Sequence, residues 1–132
     1  MTDTEHVVAK LLPRRFPQRV RLLKPDEFSR VFKNPLRSSD RLLTILAKPN
    51  EIGHARLGLA ISKKHAKRAV DRNRIKRLVR ESFRLNLARL PAIDLVVMAK
   101  PMTRSADNQQ ISQALQQHWH RLKKQCAKFS SD

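Results

Sequence analysis

Residues 63–80, KKHAKRAVDRNRIKRLVR, hold nine Lys or Arg in 18 positions, yet Val70, Ile75, Leu78 and Val79 recur among the charges. At about 100° per residue, Ile75, Leu78, Val79, Ser82 and Phe83 gather on one side of a helix. Asn73, Arg77, Arg80 and Arg84 stack along the opposite side, flanked by Arg74 and Lys76. One face can bury against a sheet while the other presents guanidinium groups. Their planar forks bond phosphate oxygens bidentately. Like charges at this spacing weaken a helix unless a ligand offsets them, and only Asp71 and Glu81 are acidic nearby. The segment therefore predicts a helix that binds a polyanion. It starts between Ala66 and Val70, runs to about Leu90 and is stopped by Pro91.

Strand-like runs flank this helix. Residues 56–62 (RLGLAIS) alternate Leu57, Leu59 and Ile61 with the small Gly58, Ala60 and Ser62; the small face leaves room for a helix, for a ligand or for ordinary packing. Residues 93–99 (IDLVVMA) form a continuous apolar run, as in a strand covered on both faces. Strand, long helix and strand make a parallel βαβ unit. Upstream, Pro25 with Asp26 and Glu27 opens a short helix carrying Phe28, Val31 and Phe32 at i, i+3 and i+4, ended by Pro35. Residues 37–40 read as a polar connection, 42–47 as a buried strand and 49–54 as a turn. Ser105 or Asp107 caps a last helix, whose Ile111, Leu115, Trp119, Leu122 and Cys126 share one stripe. Residues 1–20, with Pro13 and Pro17, read as an extended arm, and 129–132 as a frayed tail.

The expected fold is a single α/β (α+β) domain, a two-layer sandwich with a small mixed sheet and three helices. The 132 residues suffice for a real core. Twenty-nine basic against 11 acidic residues give a net charge of +18, which points to a nucleic acid partner. No run approaches a transmembrane helix, Asp3 and Glu5 argue against a secretory signal, and the lone Cys126 fits a reducing cytoplasm. The acidic residues are scattered, so no carboxylate pair stands ready for acid–base or two-metal chemistry. His118 and His120 fall on different sides of their helix, with no carboxylate near in sequence, and no metal site is expected. Cys126 lies on the apolar stripe as a core residue.

Residues 71–84, DRNRIKRLVRESFR, following Lys63-Lys64 after a strand ending Ala-Ile-Ser, resemble the signature of the bacterial ribonuclease P protein component. The resemblance extends over Arg21-Leu22-Leu23, Phe28, Val31-Phe32-Lys33, residues 57–62, Pro91 and residues 94–100, most of 20–100 in matching order. It implies a left-handed βαβ crossover. It also implies the small protein of a cytoplasmic ribonucleoprotein that removes the 5′ leader of precursor tRNA, with no obligate protein partner and no membrane. Catalysis would belong to the RNA subunit and its Mg²⁺, with no cofactor bound by the protein alone. Carried over by position, Lys64, Lys67, Arg68, Arg72, Asn73, Arg74, Lys76, Arg77, Arg80 and Arg84 would bind the RNA subunit. Phe28, Phe32, Lys63 and Arg21 would face the leader, the two rings serving as ligand contacts, core or both. Many members place an aromatic on the strand reading Leu43-Thr44-Ile45-Leu46 here; this chain has no tyrosine, so contact there would be apolar. The alternatives are a general RNA-binding or ribosome-associated protein, a DNA-binding regulator needing a dimer surface, and a membrane-surface helix.

Overall fold

The computed structural model describes residues 18–64 and 68–130, with side chains as far as residue 127. Four strands form one mixed sheet in the order β1-β2-β4-β3: β1 (Leu36–Ser39), β2 (Leu43–Pro49), β3 (Arg56–Leu59) and β4 (Ile93–Ala99). β1–β2 and β2–β4 are antiparallel, and β3–β4 are parallel. The parallel pair is joined by helix α2 (Ala69–Asn86) and a following 3-10 turn, Leu87–Arg89. Helices α1 (Pro25–Phe32) and α3 (Asn108–Ser130) complete the fold.

Alternation along the central strands decides the layering. Leu43, Ile45 and Ala47 of β2, with Ile93, Leu95 and Val97 of β4, join Ile75, Val79 and Phe83 of α2 and Ile111, Leu115 and Leu122 of α3 in the main core. Leu46 and Val96 point the other way and pack with Leu22 and Val31, and with the half-buried Phe28. The α+β class, the mixed sheet and the three helices stand as expected. Its helices cover both faces, α1 alone on one and α2 with α3 on the other. The continuous apolar run of β4 is the cause, since a strand apolar on both sides needs cover on both.

Local chemistry sets the element ends. Asn34, at φ 51°, turns the chain after α1, and Pro35 prevents its continuation. Asp107 begins α3 by reciprocal bonds: its Oδ1 accepts from Gln110 N at 2.7 Å, and its N donates to Gln110 Oε1 at 2.9 Å. Of the two candidate caps, Asp107 is the one used, and α3 continues past Lys128 to Ser130.

The polar connection expected at 37–40 is instead mostly strand β1. Its polar side chains hid an edge strand with two inward residues: Leu36 packs on the main core, and Ser38 bonds a buried histidine rather than joining an apolar cluster. Of the expected arm, residues 1–17 lie outside the described residues, while Gln18–Val20 form a 3-10 turn with Val20 buried. Residues 21–22 then add to the sheet edge: Arg21 bridges Leu57 in parallel, and Leu22 N donates to Leu57 O at 3.0 Å.

Candidate nucleic-acid interface

Helix α2 divides its side chains as its periodicity predicts. Ile75, Val79, Ser82, Phe83 and Asn86 are buried. Phe83 meets Trp119 of α3 edge to face at 6.3 Å, and Trp119 Nε1 donates to Ser82 Oγ at 2.8 Å. Asn73, Arg77 and Arg80 are exposed on the far side, with no hydrogen bond or ion pair to a described residue. Such a line of unmatched charge is held in water at little cost and is ready for phosphate oxygens.

Not every basic residue of the segment is equally available. Arg74 is a clamp between α2 and α3. It donates to Asn108 Oδ1 at 2.8 Å and to the carbonyls of Thr103 and Ala106, each at 3.2 Å. Arg84 pairs with Glu81 at 2.5 Å, and Arg68 stands 3.5 Å from Asp71. Arg72 and Lys76 are half-buried, Lys63 and Lys64 sit exposed in the turn after β3, and Lys67 lies outside the described residues. Periodicity puts Arg74 beside the apolar stripe and Arg77 opposite it, but that Arg74 closes onto Thr103, Ala106 and Asn108 depends on how α3 packs.

A cleft of about 220 Å³ runs along the β3 edge of the sheet. One wall comes from the segment before α1 and from α1 itself, with Arg21, Leu22, Leu23 and Phe28; Lys76 and Arg80 of α2 form the other, and Leu57, Gly58 and Leu59 of β3 the floor. Phe28 reaches the floor because Gly58 has no side chain: a Cβ there would lie 2.6 and 2.7 Å from two Phe28 ring carbons. The small face of β3, open between readings in the sequence, thus receives a helix side chain. Phe32, one turn later, is 47% exposed and does not line the cleft, and neither does Lys63. Leu23, 55% exposed beside Arg21, does line it; an exposed leucine next to an expected contact was the available signal.

On the sheet's α1 side, β2 contributes Thr44 and Leu46, both buried, so this strand offers little surface. His118 does have a carboxylate beside it: Asp40 Oδ2 lies 3.0 Å from its Nε2, while Ser38 Oγ meets Nδ1 at 2.6 Å. Sequence distance concealed that pairing. Burial, helped by the charges of Arg121 and Lys100, holds the His118 pKa below its ordinary value despite the opposing pull of Asp40. No group of three His, Cys, Asp or Glu side chains among the described residues could hold a metal ion. No helix among them is long and apolar enough to cross a membrane.

Comparison with known proteins shows the family. The family model described as Ribonuclease P matches residues 16–123. The ribonuclease P protein component of Methylococcus capsulatus is 53% identical over 116 residues, 88% of this chain and 91% of that protein. Among solved structures, the Staphylococcus aureus ribonuclease P protein matches with a TM-score of 0.72 at 33% identity, covering 78% of this chain and 94% of that one. The Thermotoga maritima protein matches with a TM-score of 0.68 at 28% identity, covering 76% and 96%. With a family match over most of its length, the chain belongs to the bacterial ribonuclease P protein family, as the protein subunit of an endoribonuclease that works with a ribonuclease P RNA.

Proposed function

We propose that α2 binds the ribonuclease P RNA along Asn73, Arg77 and Arg80, and that the β3-edge cleft holds the single-stranded 5′ leader of precursor tRNA. The observation that carries this reading is the meeting of Arg21 and Phe28 with Lys76 and Arg80 around one cleft. Lys76 and Arg80, assigned from sequence to the RNA subunit alone, then serve at the junction between that RNA and the leader. Arginine and lysine neutralise backbone phosphates, and an aromatic ring stacked on an unpaired base contributes about 1–3 kcal/mol. Phe28 takes that role. Phe32, outside the cleft, is a weaker leader contact, and Arg74 and Arg84 are held by partners within the fold.

Chemistry belongs to the RNA subunit and its Mg²⁺. The chain's own residues bind and orient: they offset phosphate repulsion, so that correct cleavage needs less Mg²⁺, and they hold the leader beside the scissile bond. No protein partner is needed for this, and the complex works in the cytoplasm.

The test is precursor tRNA cleavage at low Mg²⁺ by a bacterial ribonuclease P RNA, with and without this protein. Correct 5′ cleavage should require both together and be absent with the protein alone. Binding without any effect on cleavage would leave a general RNA-binding protein.

A further inference from the structure

Asp94 sits near one end of the central strand β4, on the face covered by α1, and is fully buried. It accepts four hydrogen bonds from three residues: Arg56 Nε at 2.9 Å and Nη2 at 2.8 Å, Arg30 Nη2 at 2.6 Å, and Asn50 Nδ2 at 2.8 Å. Arg56 also reaches Glu27 Oε2 at 2.6 Å, and Glu27 Oε1 accepts from the backbone N of both Leu23 and Lys24 at 2.8 Å. Arg30 further donates to Pro49 O at 3.1 Å. Two carboxylates and two guanidinium groups form a chain with no net charge. It ties the first turn of α1, the last turn of α1 and the segment before α1 to β3, β4 and the end of β2.

Phe28 lies between Glu27 and Arg30, and Leu23 immediately precedes the cap, so one wall of the cleft hangs on this chain. We infer that Asp94 is a positioning residue for the leader: through Arg56–Glu27 and through Arg30 it sets where Phe28, Leu22 and Leu23 stand opposite Lys76 and Arg80. This rests on the reading of the cleft as the leader site. Stability alone does not account for the arrangement. Buried ion pairs lose in desolvation much of what they gain in attraction, and apolar residues of similar volume are often as stable. What apolar residues do not supply is direction. Arg56 holds Glu27 in the first turn of α1, and Arg30 in the last turn donates to Asp94 and to Pro49 O, so α1 is fixed at both ends, and placement within about 0.5 Å is what a recognition site requires.

The experiment uses the reconstituted holoenzyme with Arg30→Met, Arg30→Lys and Asp94→Asn. Its readouts are the affinities for precursor tRNA, for mature tRNA and for the RNA subunit. Arg30 is 40% exposed, so its variants keep the test open if Asp94→Asn does not fold. Arg30→Met should lower precursor affinity on the order of tenfold, leave mature tRNA and RNA-subunit binding unchanged, and be partly rescued by Arg30→Lys. Equal losses for precursor and mature tRNA would make the network structural only and overturn the inference. So would an unchanged precursor preference in folded Arg30→Met. A wild-type holoenzyme that binds precursor and mature tRNA equally would instead overturn the reading of the cleft.

Discussion

Arg74 and Arg77 lie three residues apart on one helix and have opposite fates. Arg77 is exposed and neutralises a phosphate in the proposed complex; Arg77→Ala, like Arg80→Ala, should flatten the salt dependence of RNA-subunit binding by about one unit. A plot of log affinity against log salt that keeps its slope would remove that residue from the interface. Arg74→Ala should act on the fold, because two carbonyls and Asn108 lose their donor, at a cost of about 1–3 kcal/mol in unfolding free energy. At Gly58, a methyl group would meet the Phe28 ring well inside contact distance. Gly58→Ala should therefore displace that ring, destabilise the protein by about 1–3 kcal/mol and weaken precursor binding more than mature binding. Unaltered stability by denaturant titration would mean that the ring moves aside freely.

Among the elements, the seam where α3 packs on β1 carries a pH response. His118 is buried between Ser38 and Asp40, with Lys100 and Arg121 facing the same site, and its native value lies below the ordinary 6.5. On acidification the unfolded chain takes up this proton before the native one does. Stability is thus full above about pH 6.5 and falls as the pH drops below it. Asp40, Asp94 and Glu27 are all held below their ordinary values, so their contributions are lost only at lower pH, beneath about 4. Denaturant midpoints measured between about pH 5 and pH 8 should decline toward the acid end, and His118→Gln should flatten that decline. An equally steep decline in the variant would assign the response to other groups.

For the whole molecule, charge is the dominant quantity. At +18, the free chain repels itself, and the network around Asp94 uses two arginines without reducing the net excess. Added salt should screen that repulsion: the melting temperature of the free protein should rise between about 50 and 300 mM NaCl, and further with sulfate at equal ionic strength. A fall would show that attractive ion pairs outweigh the net charge. The same salt weakens RNA binding, so stability and affinity should move in opposite directions.

Local periodicity determined the parts of this protein that depend on neighbours along the chain. The buried and exposed faces of α2, the two-sided burial of β4, the proline stops and a cap at Ser105 or Asp107 were legible because each is set by spacing of a few residues. The family motif in residues 71–84 was legible for the same reason. Only the tertiary structure decided which arginines stay available, since Arg74 meets the end of a loop 29 residues away, and which phenylalanine lines the cleft, since Phe28 rather than Phe32 lies over Gly58. β1 was not legible because one of its two inward side chains is a serine whose partner is 80 residues distant. Asp94 lies within the run 93–99 that read as continuously apolar. Its meaning came from Arg30 and Arg56, 64 and 38 residues away, brought to it by the sheet register and the packing of α1. Periodicity records which way a side chain points; what it meets there depends on parts of the chain joined only by folding.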